Sequence, residues 1–243
     1  MKQMLTIGWL YPELMNIYGD RGNIITLEKR ASWRGIKTEI KYLNPGFLDS
    51  TLKTCDLLLM GGAQDRQQTI VNEDLKKHKS ALSRMIERGV PGLYVCGGFQ
   101  FLGNYYKEAD GTIINGLGIF DLYTENPGEN VKRLIGNIAI KPEIEGLTKN
   151  IFGFENHGGR THLGKNVKPF GKVIKGFGNN EDGFEGAVYK NSIGTYMHGP
   201  ILPKNPQLAD HLLSIALESK NLDILDDNLE NLASESIFKR ITQ

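Results

Sequence analysis

Cysteine is scarce in this chain: Cys55 and Cys96 are the only two among 243 residues. That is too few for a disulfide scaffold, and no paired-cysteine spacing offers a metal site. An excess of charge of either sign is also missing. The 29 Lys and Arg against 28 Asp and Glu leave a formal charge of +1, so no polyanion-binding surface is expected and nucleic acid is excluded as a partner. No segment approaches the roughly 18 apolar residues of a membrane helix. The opening stretch Met4 to Leu10 is too short for a signal peptide and runs into Tyr11-Pro12-Glu13. These absences predict a cytoplasmic protein in reducing surroundings, meeting any membrane-borne substrate from the inner face. No Gly-rich loop ends in Lys-Ser or Lys-Thr, Gly61-Gly62 and Gly97-Gly98 do not form an early dinucleotide fingerprint, and His157 with His162 is too thin a set for metal. No cofactor or metal of its own is therefore expected. Repeats, linkers and low-complexity blocks are absent, which predicts one domain over 1–243 with 221–243 as a terminal tail or helix.

What is present is an ordinary globular composition, 40% apolar and 23% charged, arranged as alternating strands and helices. Residues 4–10 read as a strand. Asp20 is placed to cap a helix with Ile24, Leu27 and Ala31 on one face, which Gly35 stops. Residues 36–42 alternate like a strand with one wet face, 56–60 read as a short buried strand, and 72–88 fit one long helix with Leu75, Leu82, Met85 and Ile86 inward. The second half holds short strands over 118–123, 134–140, 151–154, 184–189 and 192–197, then a helix opened by Asn205-Pro206. Strands separated by helices predict an α/β fold, a mostly parallel central sheet with helices on both faces. Ligands of such sheets sit beyond the carboxyl ends of the strands, where Gly61-Gly62 and Cys96 both fall.

The chemistry concentrates in Leu93-Tyr94-Val95-Cys96-Gly97-Gly98-Phe99-Gln100. An apolar run that stops at a cysteine and turns through two glycines reads as a nucleophile elbow, a strand bending sharply into a helix. The elbow exposes the thiol and aims the helix N-terminus at it, favouring thiolate. A buried core cysteine is the competing reading for Cys96 alone. It is answered by the strand-like Gly194-Thr195-Tyr196-Met197-His198, which delivers a histidine 102 residues later. Cys96 as nucleophile and His198 as its base are the expected pair. Glycines let the backbone approach a reacting oxygen closely, so amides of Gly62 and Gly97 are the expected oxyanion donors.

The ordered set Tyr18-Gly19-Asp20-Arg21-Gly22-Asn23, Gly61-Gly62-Ala63-Gln64-Asp65-Arg66, Cys96-Gly97-Gly98-Phe99-Gln100, Phe154-Glu155-Asn156-His157-Gly158-Gly159-Arg160-Thr161 and Tyr196-Met197-His198-Gly199-Pro200 resembles the class I glutamine amidotransferase family. The resemblance is strongest to its cobyric-acid-synthase-like branch, and it covers nearly the full length. It implies a flavodoxin-like three-layer sandwich and hydrolysis of L-glutamine to glutamate and ammonia. It further implies a heterodimer with a Mur-ligase-like partner, MurT, where ATP and magnesium would act and ammonia would amidate D-glutamate of the lipid II stem peptide. By the same resemblance Arg133 recognises the glutamine α-carboxylate, Gln100 helps hold the substrate, and Asn156, His157 and Gly158 line its α-amino side. Many members place a glutamate two residues beyond the histidine, where this chain has Pro200. An isolated subunit of low activity, completed by its partner, is expected from that departure. A silent regulatory subunit, a cysteine peptidase and a subunit for cobyrinate-type amidation are the competing functions.

Overall fold

A computed structural model describes residues 2–62 and 65–242. Met1, Ala63, Gln64 and Gln243 lie outside the described residues, as do the side chains of Tyr18, Asp65, Arg66, Gln68, Thr69, Ile241 and Thr242, so part of the Gly61 to Arg66 motif has no structural account. The first half runs β1 (Met4–Leu10), α1 (Arg21–Ser32), β2 (Lys37–Leu43), α2 (Asp49–Leu52), β3 (Leu57–Met60), α3 (Asp65–Lys77), α4 (Lys79–Glu87), β4 (Gly92–Val95) and α5 (Gly97–Leu102). The second half adds β5 (Tyr105–Lys107), β6 (Ile113–Asn115), β7 (Leu122–Glu125), β8 (Leu134–Pro142), β9 (Ile151–His157), β10 (Arg160–Leu163), β11 (Gly171–Lys175), β12 (Phe184–Glu185), β13 (Ala187–Tyr189) and β14 (Ser192–Thr195). The helices α6 (Ile201–Lys204), α7 (Pro206–Ala216) and α8 (Asn228–Thr242) close the chain.

The central sheet has the order β13-β14-β4-β3-β1-β2, parallel throughout except for the β13–β14 hairpin. Its inner strands β3 and β4 read as short apolar runs because both faces are covered, while the edge strand β2 alternates between buried and wet positions. Leu5, Ile7, Leu57, Leu59, Leu93 and Val95 pack with α1 and α7 in one core, while Leu10, Leu58, Met60 and Tyr94 pack with α3, α4 and α5 in the other. This alternation is the period-two geometry of a strand serving two cores. Two smaller sheets, β10-β7-β5-β6 and β12-β11-β8-β9, complete the α/β architecture and are mostly antiparallel. Among the described residues no helix is long and apolar enough to cross a membrane.

Several expected elements take a different form. The single helix over 72–88 is two, broken at His78, whose backbone leaves helical geometry while its Nδ1 lies 2.7 Å from Asp49 and its ring stacks on Phe47 at 3.8 Å. A pairing with a segment 29 residues away in the chain thus outweighs helix continuation. Asp20 precedes α1 without capping it; the Asn16 side chain accepts the Arg21 N–H instead, at 2.9 Å. The strand expected at 118–123 starts only at Leu122, because the amides of Leu117, Gly118 and Ile119 are drawn to carbonyls at the end of α5. The run 184–189 divides at Gly186, held at φ +64° against Phe170. Residues 196 and 197 leave the ladder because Tyr196 N–H goes to Glu185 and Met197 N–H to the Thr195 hydroxyl. In the terminal tail, Arg30 ties Asp227, at the entry to α8, and Asp210 of α7 to α1 through paired 2.6 Å contacts.

Candidate active site

Strand β4 ends at Val95 and passes into Cys96, which adopts φ +52° and ψ −108°. A side chain at that φ carries steric strain of roughly 1–3 kcal/mol, held by its surroundings. The surroundings are explicit. Cys96 N–H donates to Thr195 of β14 at 2.8 Å, Cys96 C=O accepts the Gln100 N–H at 2.9 Å, and Gly98 N–H donates to the Gly61 carbonyl at 3.2 Å. A Cβ on Gly98 would stand 2.9 Å from the Met60 carbonyl oxygen and 3.0 Å from that of Gly61, so only glycine lets α5 descend onto the end of β3.

Strand β14 runs parallel to β4 with Thr195 opposite Val95, which sends the following residues past Cys96 on the same edge. His198 is then fixed by two backbone bonds to Phe154, the middle residue of β9, at 2.7 and 3.2 Å. Both side chains converge on Gly62. A Cβ placed there would lie 3.2 Å from His198 Cε1, 3.3 Å from Cys96 Cβ and 3.8 Å from its Sγ. Cys96 is partly exposed and His198 is buried. Burial, reinforced by the nearby His157 and the positive charge of Arg133, pushes the His198 imidazole down to about 3. The ring is therefore neutral at physiological pH, as a proton acceptor must be, but its affinity for that proton is weak.

The other expected residues fall into two groups. Arg133, exposed, donates through Nε to Asn156 Oδ1 at 2.9 Å and through Nη2 to the Asn156 carbonyl at 3.0 Å; a Cβ on Gly158 would meet its Nη1 at 3.3 Å. The three make one positively charged corner. Gln100 and His157 are instead buried around Tyr196: Gln100 Nε2 donates to its hydroxyl at 3.1 Å, and the His157 ring stacks on the Tyr196 ring at 3.7 Å. The Tyr196 hydroxyl also meets that of Thr161 at 2.6 Å, which meets that of Thr124 at 2.6 Å. His157 Nδ1 lies 2.8 Å from the Gly159 carbonyl. His162 sits apart, stacked on Tyr123. Gly97 opens α5, while the Gly62 N–H is donated to Asp20 Oδ2 at 2.8 Å. Pro200 packs on Gly22 at the start of α1.

Three buried carboxylates take parts in the site that the sequence did not announce. Glu155 accepts the N–H groups of Phe177 and Gly178 at 2.7 and 2.9 Å and lies 3.9 Å from His157 Nε2. Glu185 accepts the Thr195 hydroxyl at 2.6 Å and the Tyr196 N–H at 2.7 Å, and burial raises its carboxyl to about 7. Asp20 is likewise raised to about 7 by burial. The available signal was an acidic residue inside an apolar or glycine-flanked run. Among the described residues no group of three or more His, Cys, Asp or Glu is arranged to hold a metal ion.

A cysteine elbow and a histidine meet at the carboxyl edge of a parallel sheet, the arrangement that attack on an acyl carbon requires. The chain matches the CobB/CobQ-like glutamine amidotransferase domain over residues 6–206 and belongs to that family. It is 44% identical, over 94% of its own length and 91% of the relative's, to the lipid II isoglutaminyl synthase (glutamine-hydrolyzing) subunit GatD of Staphylococcus aureus (strain N315). The subunit of the same description from Streptococcus pneumoniae (strain ATCC BAA-255 / R6) is 42% identical over 96% of this chain and 88% of that one. A solved glutamine amidotransferase shares the fold, with a TM-score of 0.59 and 15% identity over 86% of this chain and 98% of the other.

Proposed function

We propose that this chain is the glutamine-hydrolysing subunit of a lipid II isoglutaminyl synthase. The reading is carried by Cys96, held in a strained elbow beside His198, in a chain related along most of its length to two subunits of that description. His198 takes the thiol proton as Cys96 Sγ attacks the side-chain amide carbon of L-glutamine. The tetrahedral oxyanion is held by backbone amides, Gly97 among them. Collapse breaks the C–N bond, the same proton leaves with ammonia, and water then cleaves the thioester to glutamate. Arg133, preset by Asn156, offers its guanidinium to the substrate α-carboxylate. Gln100 and His157 act through Tyr196, as positioning residues that hold the strand carrying His198. Gly158 keeps the Arg133 corner open.

Ammonia passes to a Mur-ligase-like partner, MurT, in a heterodimer, where ATP and magnesium activate the α-carboxyl of D-glutamate in the lipid II stem. The chain is placed in the cytoplasm and reaches the inner membrane face through that complex, and residues 1–243 act as one domain. A histidine held near 3 is a poor base, and Pro200 supplies no carboxylate to orient it. The partner therefore completes the site and should raise glutamine hydrolysis by about 10-fold to 100-fold. The test is glutamate release with and without the partner, for parent, Cys96→Ala and Arg133→Ala chains. Cys96→Ala should abolish glutamine-dependent amidation while ammonium still supports it, and Arg133→Ala should raise KM more than it lowers kcat. Parental hydrolysis by the alanine chain at position 96 would end the proposal.

A further inference from the structure

The Gly61–Gly62 peptide faces the wrong way for an oxyanion donor. Its carbonyl accepts the Gly98 N–H from α5, the helix that begins beside Cys96. A trans peptide aims its N–H opposite to its C=O, so the Gly62 N–H points away from α5 and into Asp20 Oδ2 at 2.8 Å. The turn is fitted to that carboxylate, since a Cβ on Gly61 would stand 2.5 Å from Asp20 Oδ2 and overlap the Met15 carbonyl oxygen. Asp20 is itself buried, and among the described residues its Oδ1 has no hydrogen-bond partner. A buried carboxylate satisfied on one oxygen only is costly to keep unless it does something for the site.

We propose that Asp20 is a positioning residue that latches the Gly62 amide out of the oxyanion position, and that turnover requires the latch to open so that this peptide turns over toward Cys96. The inference rests on the glutaminase reading above. Turning the peptide breaks two hydrogen bonds, to Asp20 and from Gly98, and the flanking pair of glycines permits the change in φ and ψ. In exchange the Gly62 and Gly97 amides converge on one oxygen. A donor of that kind is worth about 10²-fold to 10³-fold in kcat.

Among the described residues the groups around the latch are few. Asp20 comes from the entry to α1, Cys96 from the start of α5 and His198 from beyond β14; Arg21, next to Asp20, is exposed, and no ion pair joins Asp20 to another charge among the described residues. Burial raises Asp20 to about 7, so an ionised, strongly accepting carboxylate holds the amide above that pH and a weaker neutral acid holds it below. Asn at this position imitates the neutral form.

The experiment is a pH profile of glutamate release by the full chain, alone and with the ligase partner, for parent, Asp20→Asn and Asp20→Ala. The Asn/parent ratio of kcat should be near one at pH 6 and rise about 3-fold to 10-fold by pH 8.5, with KM little changed. The Ala/parent ratio should exceed one throughout. In parallel, the Gly62 amide proton, followed by NMR, should titrate near pH 7 in the parent and not in Asp20→Asn, which keeps the assay independent of whether the alanine chain folds. Parallel pH profiles, or a Gly62 amide that ignores the substitution, overturn the latch and leave the glutaminase reading standing. Absence of glutamine hydrolysis in every form, partner included, overturns both.

Discussion

Gly194 joins the two halves of the candidate site, and a single methyl group there should separate them. It lies in β14, four residues before His198, and a Cβ at this position would stand 2.6 Å from Phe99 Cε2 and 2.8 Å from Cγ, closer still to Cδ2. Phe99 is fully buried in α5 and meets the Tyr196 ring edge-on, 5.4 Å between centroids. Normal contact therefore demands that α5 and β14 move apart by on the order of 1 Å, because a close-packed interior has nowhere else to put the ring. Overpacking of this kind costs about 1–3 kcal/mol, against which alanine returns about 0.4–1 kcal/mol by stiffening the unfolded chain. A net loss of about 1–2 kcal/mol corresponds to a Tm lower by roughly 2–8 °C at this chain length. Activity should suffer more, since a displacement of about 1 Å between reacting groups can cost on the order of 100-fold. Thermal melting and glutamate release with the partner measure the two effects for Gly194→Ala, and Phe99→Leu in the same chain should recover part of both. Parental melting and parental turnover in Gly194→Ala would refute the argument that this contact sets the spacing of Cys96 and His198.

Cys96→Gly should melt about 2–4 °C above Cys96→Ala, since only glycine relieves roughly 1 kcal/mol of strain at φ +52°; equal melting temperatures would remove the strained elbow. Glu185 prefers its proton in the fold, raised from 4.5 to about 7, so its stabilising contribution is full below pH 4.5 and is lost as pH rises through 7. Glu185→Gln, which keeps an acceptor for Thr195 and Tyr196, should flatten the pH dependence of urea unfolding between pH 5 and 8 by up to the order of 3 kcal/mol. The opposite contribution of His198, lost as pH falls below its ordinary value, is shared by both chains, so equal slopes would count against Glu185. Arg30→Ala should cost about 3 kcal/mol by removing a 3% exposed guanidinium that leaves Asp227 without its partner and Asp210 held by Arg34 alone. It should also release α8 to limited proteolysis; an uncut tail would show that the apolar contacts of α8 suffice.

The parts of the site legible in the sequence were those whose signal is local. An apolar run stopping at Cys96 before two glycines encodes its own geometry, because no other residue type allows Gly98 that approach to β3. The parallel sheet was legible for the same reason, as strands buried on both faces are written in unbroken apolar runs such as Leu57 to Met60. The break at His78 was hidden, since it depends on Asp49 and Phe47, about thirty residues away in the chain. The short strands β5, β6, β10 and β11 went unread because three to five residues carry too little periodicity to distinguish from loop.

Sequence by itself determined the elbow, the histidine at the end of its strand and the alternation of strands and helices that builds the parallel sheet. Only the tertiary structure decided the protonation of the site and the direction of its amides. Asp20 read as a helix cap until the fold set it against Gly62, 42 residues away. Gln100 and His157, expected as substrate contacts, are buried around Tyr196, a placement that only the fold sets. Burial and hydrogen-bond direction are properties of the assembled interior, where distant segments compete for the same donor, and no local pattern of residues records which of them wins.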